Sequence, residues 1–290
     1  MKNKLHLTRV KVNVAKDIKN RQDYIGGSDI ASILGLNPYQ SAYTLWAIKT
    51  GLIEPQDISD KEAVWWGTNT ELLIGKRFAM KTDKRIKRSS YAYGVKEYPF
   101  LRGHVDFLIV GENAGLECKS VGWNGLNYAE GEIPPAHYAQ MQFYILLTGR
   151  KNWYLATHRN NGEFFVNSVA RNDEFIEQII ADAVEFWNHV QSGEPVSVDD
   201  SKNTAETLGM IYPNETVGET VDLSKLEGEL VALQELGNQK KSLDSLAEKY
   251  KNEVKAVMKD AERGETDTFI VTWKTNAKGS RVFRVVEKDV

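Results

Sequence analysis

His104-Val-Asp-Phe-Leu-Ile-Val-Gly-Glu-Asn-Ala-Gly-Leu-Glu-Cys-Lys119 is the stretch on which the fold turns. It reads as two short apolar strands, 105–110 and 116–121, joined by a tight turn at 111–115. Strand side chains ordinarily go to packing, yet this hairpin carries Asp106, Glu117 and Lys119. Glu117 and Lys119 are two apart, so on a strand they share a face. An Asp on the preceding strand can then lie beside them. Two carboxylates and an ammonium gathered away from water are costly unless a cation and an anion normally complete the group. Hard oxygen ligands suit Mg²⁺, and a neighbouring Lys suits a phosphate or an attacking water. The plain alternative is an exposed strand face with a Glu117–Lys119 salt bridge, and spacing alone leaves both open.

The rest of the composition permits this chemistry without advertising it. The chain has 290 residues, 41% hydrophobic and 27% charged, enough for one large core plus an extension. A net charge of −3 gives no bulk attraction to nucleic acid. Basic residues for such a partner must be local, and Lys81, Lys84, Arg85, Lys87 and Arg88 form one cluster, a pattern that equally describes a solvated face. The one cysteine, Cys118, excludes an intramolecular disulfide and any multi-cysteine metal centre. The first residues are polar and basic with no apolar signal core, and no apolar run approaches the ~20 residues of a membrane span. A soluble, cytoplasmic protein is expected.

Upstream, residues 5–14 alternate like an edge strand. In Arg21-Gln-Asp-Tyr-Ile-Gly-Gly-Ser28, Ser28 follows two glycines and reads as the N-cap of a short helix ending near Gly35. Paired glycines before a helix leave N–H groups open for a phosphate, and Arg21 is near enough to add a charge-assisted bond. A plain capped helix explains the same residues. Ser41 caps a helix over 42–50, closed by Gly51. A long helix is expected from 59 or 60 to about 82, with Val64, Trp65, Leu72, Ile74 and Phe78 buried and Glu71 mid-helix. Strand-like pieces at 85–91 and 98–101 lead into the hairpin.

Downstream, a loop over 122–133 lies where a substrate can rest. Pro134-Pro135 opens a helix over 136–147, ended by Gly149, from which Gln140 and Gln142 project. A hairpin over 152–159 and 163–169 turns at Asn160-Asn161-Gly162. An amphipathic helix, 173–190, stops at Gly193 and Pro195 and closes a domain of residues 1–196. Residues 197–221 read as a polar linker. Residues 222–290 read as a helical, coiled-coil-like extension, with leucines at threes and fours, ending in a hairpin over 268–275 and 281–286. Gly228 and Gly237 are weak points that leave two helices open. The apolar stripe is a packing surface for this domain, another copy or a partner helix.

Five signals fall into one order: Arg21…Ser28; Glu71 in Trp66-Gly-Thr-Asn-Thr-Glu71; Asp106; Glu117-Cys118-Lys119; and Gln140 in Tyr138-Ala-Gln140-Met-Gln142. This combination resembles the phage lambda exonuclease family, the YqaJ-like viral recombinases, within the PD-(D/E)XK nucleases. The resemblance covers roughly residues 21–190. It implies an α/β, restriction-endonuclease-like core with a mixed central β-sheet flanked by helices, to which the helical C-terminal extension is added. It implies metal ligation by Asp106, Glu117 and the Cys118 backbone carbonyl, with Glu71 completing the acidic site directly or through water. Lys119 would position and help deprotonate the attacking water, Gln140 would hold that water or the scissile phosphate, and Arg21 and Ser28 would form a 5′-phosphate pocket. The implied cofactor is Mg²⁺ or Mn²⁺, one or two ions per site. The implied activity is 5′→3′ digestion of one strand of linear duplex DNA, leaving 3′ overhangs. The implied setting is a phage or prophage in a bacterial host, with duplex DNA ends and a single-strand annealing protein as partners and a homotrimeric ring as one assembly.

The sequence departs from the family pattern in three places. Val105-Asp106 stands for the family's Pro-Asp, an additional family acid upstream has no counterpart, and the tail after Val190 has no equivalent in the minimal phage enzyme. Two alternatives share these residues: an endonuclease or single-strand nuclease on the same core, and a non-catalytic DNA-end-binding module.

Overall fold

The computed structural model describes residues 5–12, 21–122, 130–159 and 162–288. The chain separates into two units, Met1–Glu215 and Thr216–Val290. In the first unit the order is β1 (Leu7–Lys11), a 3-10 turn (Arg21–Asp23), α1 (Gly27–Ile33), α2 (Ala42–Lys49), α3 (Glu62–Thr82), β2 (Ile86–Arg88), β3 (Tyr91–Val95), β4 (Tyr98–His104), β5 (Phe107–Ile109) and β6 (Ala114–Val121). There follow α4 (Pro135–Thr148), β7 (Asn152–Arg159), β8 (Phe164–Ala170), α5 (Asp173–Ser192) and α6 (Lys202–Ile211). Most of the loop expected over 122–133, and the first two residues of the turn at 160–162, lie outside the described residues.

The hairpin read first from the sequence is the middle of a five-stranded sheet ordered β2-β5-β6-β7-β8. β6 and β7 run parallel, with α4 as their crossover, and the other pairs are antiparallel, so the sheet is mixed. A smaller antiparallel sheet, β1-β3-β4, has β1 at its edge, as the alternation predicts.

α3 covers one face of the large sheet, burying Ile74 and Phe78 with Phe107, Ile109, Leu116 and Ala156. The main core lies elsewhere in the unit, where Ile30, Trp46, Phe143, Ile145, Trp153 and Phe186 join one cluster. Burying such side chains stabilises by about 1.5–3 kcal/mol each. Two glycines set the closeness of these layers: a Cβ at Gly115 would lie 2.3 Å from the Trp153 ring, and one at Gly75 2.8 Å from Phe107.

α3 corrects the expected burial. Trp65 and Leu72 are exposed and Val64 is half-buried, because the stripe against the sheet runs through Gly67, Glu71, Ile74, Gly75 and Phe78. The segment expected as linker contains α6, which belongs to the first unit. Leu208 and Ile211 pack against the main core, and hydroxyls complete the attachment: Thr207 Oγ1 lies 2.6 Å from Thr44 Oγ1, Thr204 Oγ1 donates to Ser41 Oγ at 2.8 Å, and the Ser41 N–H donates to Asn203 at 2.9 Å. Ser41 caps α2 as expected, accepting from the Thr44 N–H at 3.0 Å.

The second unit holds α7 (Glu227–Met258) after a 3-10 turn (Ser224–Leu226), then β9 (Arg263–Glu265), β10 (Phe269–Thr275) and β11 (Arg281–Glu287). α7 passes unbroken through Gly228 and Gly237, so the two-helix alternative does not hold. The expected hairpin is present, and β9 extends it to a three-stranded antiparallel sheet. Arg281 fastens helix end to sheet, donating to the Lys259 and Ala261 carbonyls at 2.7 Å each and lying 3.6 Å from the Trp273 ring centre. Among the described residues no helix is long and apolar enough to cross a membrane.

Candidate active site

The chain leaves the small sheet at His104 and enters the large one at Phe107, so Val105-Asp106 is the junction between them. The Asp106 carboxylate turns back to β6 and accepts the Cys118 N–H at 2.8 Å. Alternation along β6 sends Leu116 and Cys118 toward α3 and puts Glu117 and Lys119 on the other face. There Lys119 Nζ stands 2.7 Å from Glu117 Oε1. Glu117 is only 3% exposed, and its second oxygen has no hydrogen-bond partner among the described residues. α3 brings Glu71, which accepts from Arg88 at 2.9 Å. α4 brings Gln140, buried, donating to the Tyr144 hydroxyl at 2.9 Å.

Crowding of like charge has a clear signature. Burial pushes the Asp106 carboxyl well above the usual carboxylate range, and repulsion from Glu117 and then Glu71 adds to it, against Lys119 and the Cys118 N–H. Burial also raises Glu71, opposed by Arg88 and reinforced by Glu117. Burial raises the Cys118 thiol, with Asp106 and Glu117 adding, so the sulfur stays protonated and is no nucleophile. His137, in the first turn of α4, is lowered to about 3 by burial and then by Lys119, against a hydrogen bond with Gln140, and is neutral at physiological pH.

A second set of residues is fixed by the segment 24–26. The Ile25 N–H donates to the Phe100 carbonyl at 2.7 Å and the Arg102 N–H to the Ile25 carbonyl at 3.0 Å, which stitches the segment to β4. Asp29 then gathers three donors: the Gly26 N–H at 2.9 Å, Arg21 Nη2 at 3.1 Å and Lys49 Nζ at 2.9 Å. The Lys49 ammonium, only 2% exposed, also donates to the carbonyls of Arg21 and Tyr24. Burial lowers the Lys49 pKa, and the Asp29 charge opposes that. Ser28 is not the N-cap. The helix begins at Gly27 with Gly26 as cap, because the Asp29 carboxylate takes the Gly26 N–H and sets the first turn one residue earlier. Ser28 is exposed on that turn. Gly27 has no room for a side chain, since a Cβ would lie 2.7 Å from the Tyr144 ring.

One cleft of about 750 Å³ is lined by Arg21, Ser28, Glu71, Asp106, Glu117, Cys118, Lys119 and Gln140, the residues to which the resemblance assigns a role. Sequence reasoning missed Arg102, His104 and Tyr144, which also line it. Alternation had the signal for two of them, since Arg102 and His104 share a strand face four and two residues before Asp106. Of the basic cluster, Arg88 lines the cleft, while Lys84 pairs with Glu112 outside it. Gln142 holds structure, bridging the Ala170 carbonyl and the Asn172 N–H.

Among the described residues no group of three or more His, Cys, Asp and Glu side chains is arranged to hold a metal by itself. The oxygens present nevertheless suit one: an unmet, buried Glu117 oxygen beside Asp106, whose carboxyl is pushed up by burial and then by neighbouring negative charge that a cation would offset.

Residues 18–151 match the model of the YqaJ-like viral recombinase domain. The chain is 33% identical to the protein YqaJ of Bacillus subtilis (strain 168) over 259 residues, covering 88% of this chain and 81% of the relative. The chain belongs to the YqaJ-like viral recombinase family. Its fold is similar to that of an alkaline exonuclease, LHK-Exo, from Laribacter hongkongensis, with a TM-score of 0.53 and 17% identity over 62% of this chain and 93% of that one. The same enzyme in complex with dAMP matches with a TM-score of 0.52 and 20% identity, over 60% of this chain and 91% of that one.

Proposed function

We propose that the chain is a Mg²⁺-dependent deoxyribonuclease that digests the 5′-ended strand of linear duplex DNA and leaves 3′ overhangs for recombination. The observation that carries the reading is the single cleft holding the acids of the central hairpin, Lys119 and Gln140 together with Arg21 and Ser28. The family membership and the exonuclease-like fold support it.

A phosphodiester resists hydrolysis because its charge repels nucleophiles and its leaving alkoxide is poor. A divalent ion in the cleft supplies Lewis-acid charge that shields the phosphate and acidifies water. Asp106, Glu117 and the Cys118 carbonyl are the residues that would hold it, with Glu71 behind them. Lys119, already against Glu117, would orient the attacking water, and with its pKa lowered by a neighbouring divalent ion its neutral amine would take the proton. Gln140, fixed by Tyr144, would hold that water or a phosphate oxygen through its carbonyl or amide. Arg21, steadied by Asp29, and the exposed Ser28 hydroxyl offer donors to a terminal phosphate.

Linear duplex carrying a 5′-phosphate or a 5′-hydroxyl, beside a closed circle, all in Mg²⁺, tests both halves. Loss of the phosphorylated linear strand alone, absent in Lys119→Ala, is expected. Cleavage of the circle would leave the catalytic residues standing and remove end recognition. Manganese in place of magnesium, and the annealing protein added to the reaction, extend the same assay to the other ion and the proposed partner.

A further inference from the structure

Two arginines lie against the segment 24–26. Arg21 lies against Gly26, where a Cβ would stand 3.6 Å from its Nε and Nη2. Arg102, on β4, lies against Tyr24, its guanidinium carbon 5.6 Å from the ring centre. The backbone fixes this neighbourhood, since the Arg102 N–H donates to the Ile25 carbonyl at 3.0 Å. Tyr24 is buried, and Lys49 Nζ stands 5.8 Å from the same ring centre. An aromatic face attracts a guanidinium and leaves its N–H edge for an anion. Tyr24 therefore mounts Arg102 on the segment that follows Arg21, and both arginines line the one cleft.

Charge explains why a second cation belongs there. Arg21 and Lys49 share the Asp29 carboxylate, which leaves one positive charge in excess among the three. Lys49 is deeply buried and spends its donors on the loop, so Arg21 is the member that can meet a ligand. An internucleotide phosphate carries one negative charge, whereas a terminal phosphomonoester carries about 1.5–2 at neutral pH. One excess charge balances the first and falls short of the second. Of the other cations lining the cleft, Arg88 is paired with Glu71 and Lys119 with Glu117, at the acidic centre. We propose that Arg102 is the second cation of the end pocket and recognises the extra charge that a terminal phosphomonoester carries over an internal diester. The proposal rests on the DNA-end reading of the cleft, and it assigns to Arg102 the choice of an end over a phosphate within the strand.

Equilibrium binding of the full-length chain to short duplexes, without divalent ions so that nothing is cut, separates this proposal from the cleavage chemistry. The duplexes end in a 5′-phosphate, in a 5′-methyl phosphate that carries a single charge, or in a 5′-hydroxyl. The parent is expected to bind the phosphate about 10–100-fold more tightly than its methyl ester. In Arg102→Gln the two should bind alike. Arg102→Lys should restore part of the gap, because the charge returns without the planar fork. Both variants keep the backbone bond to Ile25, and a merely structural loss would weaken binding of all three duplexes in the same proportion. An undiminished gap in Arg102→Gln, or no recovery in Arg102→Lys, would overturn the role of Arg102 while leaving end recognition by Arg21 in place. A parent indifferent to the terminal phosphate would overturn both.

Discussion

Glu117, 3% exposed with one carboxylate oxygen unmet, and Leu233, 67% exposed on its helix, depart from ordinary burial in opposite directions. In the first unit charge is held where apolar groups belong, at the floor of a cleft. In the second, apolar groups stand where charge belongs, along a helix of 32 residues. Each departure specifies what completes it. Buried carboxyls that repel one another ask for something small, hard and positive. A long seam of leucines asks for an apolar face to cover it. The local rules are broken at both places in a way that names a different class of companion.

Removing the buried charge tests the first half of this contrast most severely. Glu117→Gln and Lys119→Ala are each expected to lower cleavage by at least about 10³-fold with circular dichroism unchanged. Retained activity in Lys119→Ala would take the ammonium out of the reaction. Gly27→Ala comes next: its methyl would push the Tyr144 ring and, through it, Gln140. Turnover should fall about 10–100-fold, more than substrate affinity, with a loss of about 1–3 kcal/mol in denaturant melts. Arg21→Ala should remove the preference for a phosphorylated end, about 10–100-fold from one charge-assisted bond, and leave turnover on hydroxyl ends alone.

The smallest effect is the most diagnostic. Asp106 and Glu71 hold protons more tightly folded than unfolded, so their contribution to stability is full at acid pH and is lost as pH rises through their raised values. Without divalent ions, Asp106→Asn, whose amide oxygen still accepts the Cys118 N–H, should melt higher than the parent at neutral pH. A gain of about 1 kcal/mol appears as roughly 2–4 °C. Below about pH 4 the difference should vanish. Adding Mg²⁺ should raise the parent's melting temperature and not the variant's. Equal melting at every pH would mean that the carboxyls do not strain the fold.

Much of this was legible because it was written in alternation. Glu117 and Lys119 at a spacing of two could only share a strand face, and Gly149 and Gly193 ended their helices in the left-handed conformation, at φ 67° and 76°. α3 was misread in its burial because counting apolar residues favours Trp65 and Leu72, whereas the stripe on the sheet includes two glycines and Glu71, valuable there for being small or charged. α6 was missed because threonines, Thr204 and Thr207, take its buried positions and leave only Leu208 and Ile211 to mark an apolar face. Ser28 looked like a cap because the sequence does not show that Asp29 reaches backward. The large sheet's order and the union of cleft residues from five elements depend on pairings across long stretches of chain, which no local pattern encodes.

Lys49 carries a last consequence, for substitution. Its ammonium meets the Asp29 carboxylate and the carbonyls of Arg21 and Tyr24, three acceptors from three residues. A tetrahedral ammonium sends three N–H vectors in divergent directions, while a guanidinium spreads its donors in one plane. Arginine would preserve the charge yet miss part of that clasp, and methionine would preserve the bulk yet strand Asp29 with Arg21 alone as its charged partner. The loop that presents Arg21 is thus closed by a residue for which the usual conservative exchange is the wrong shape.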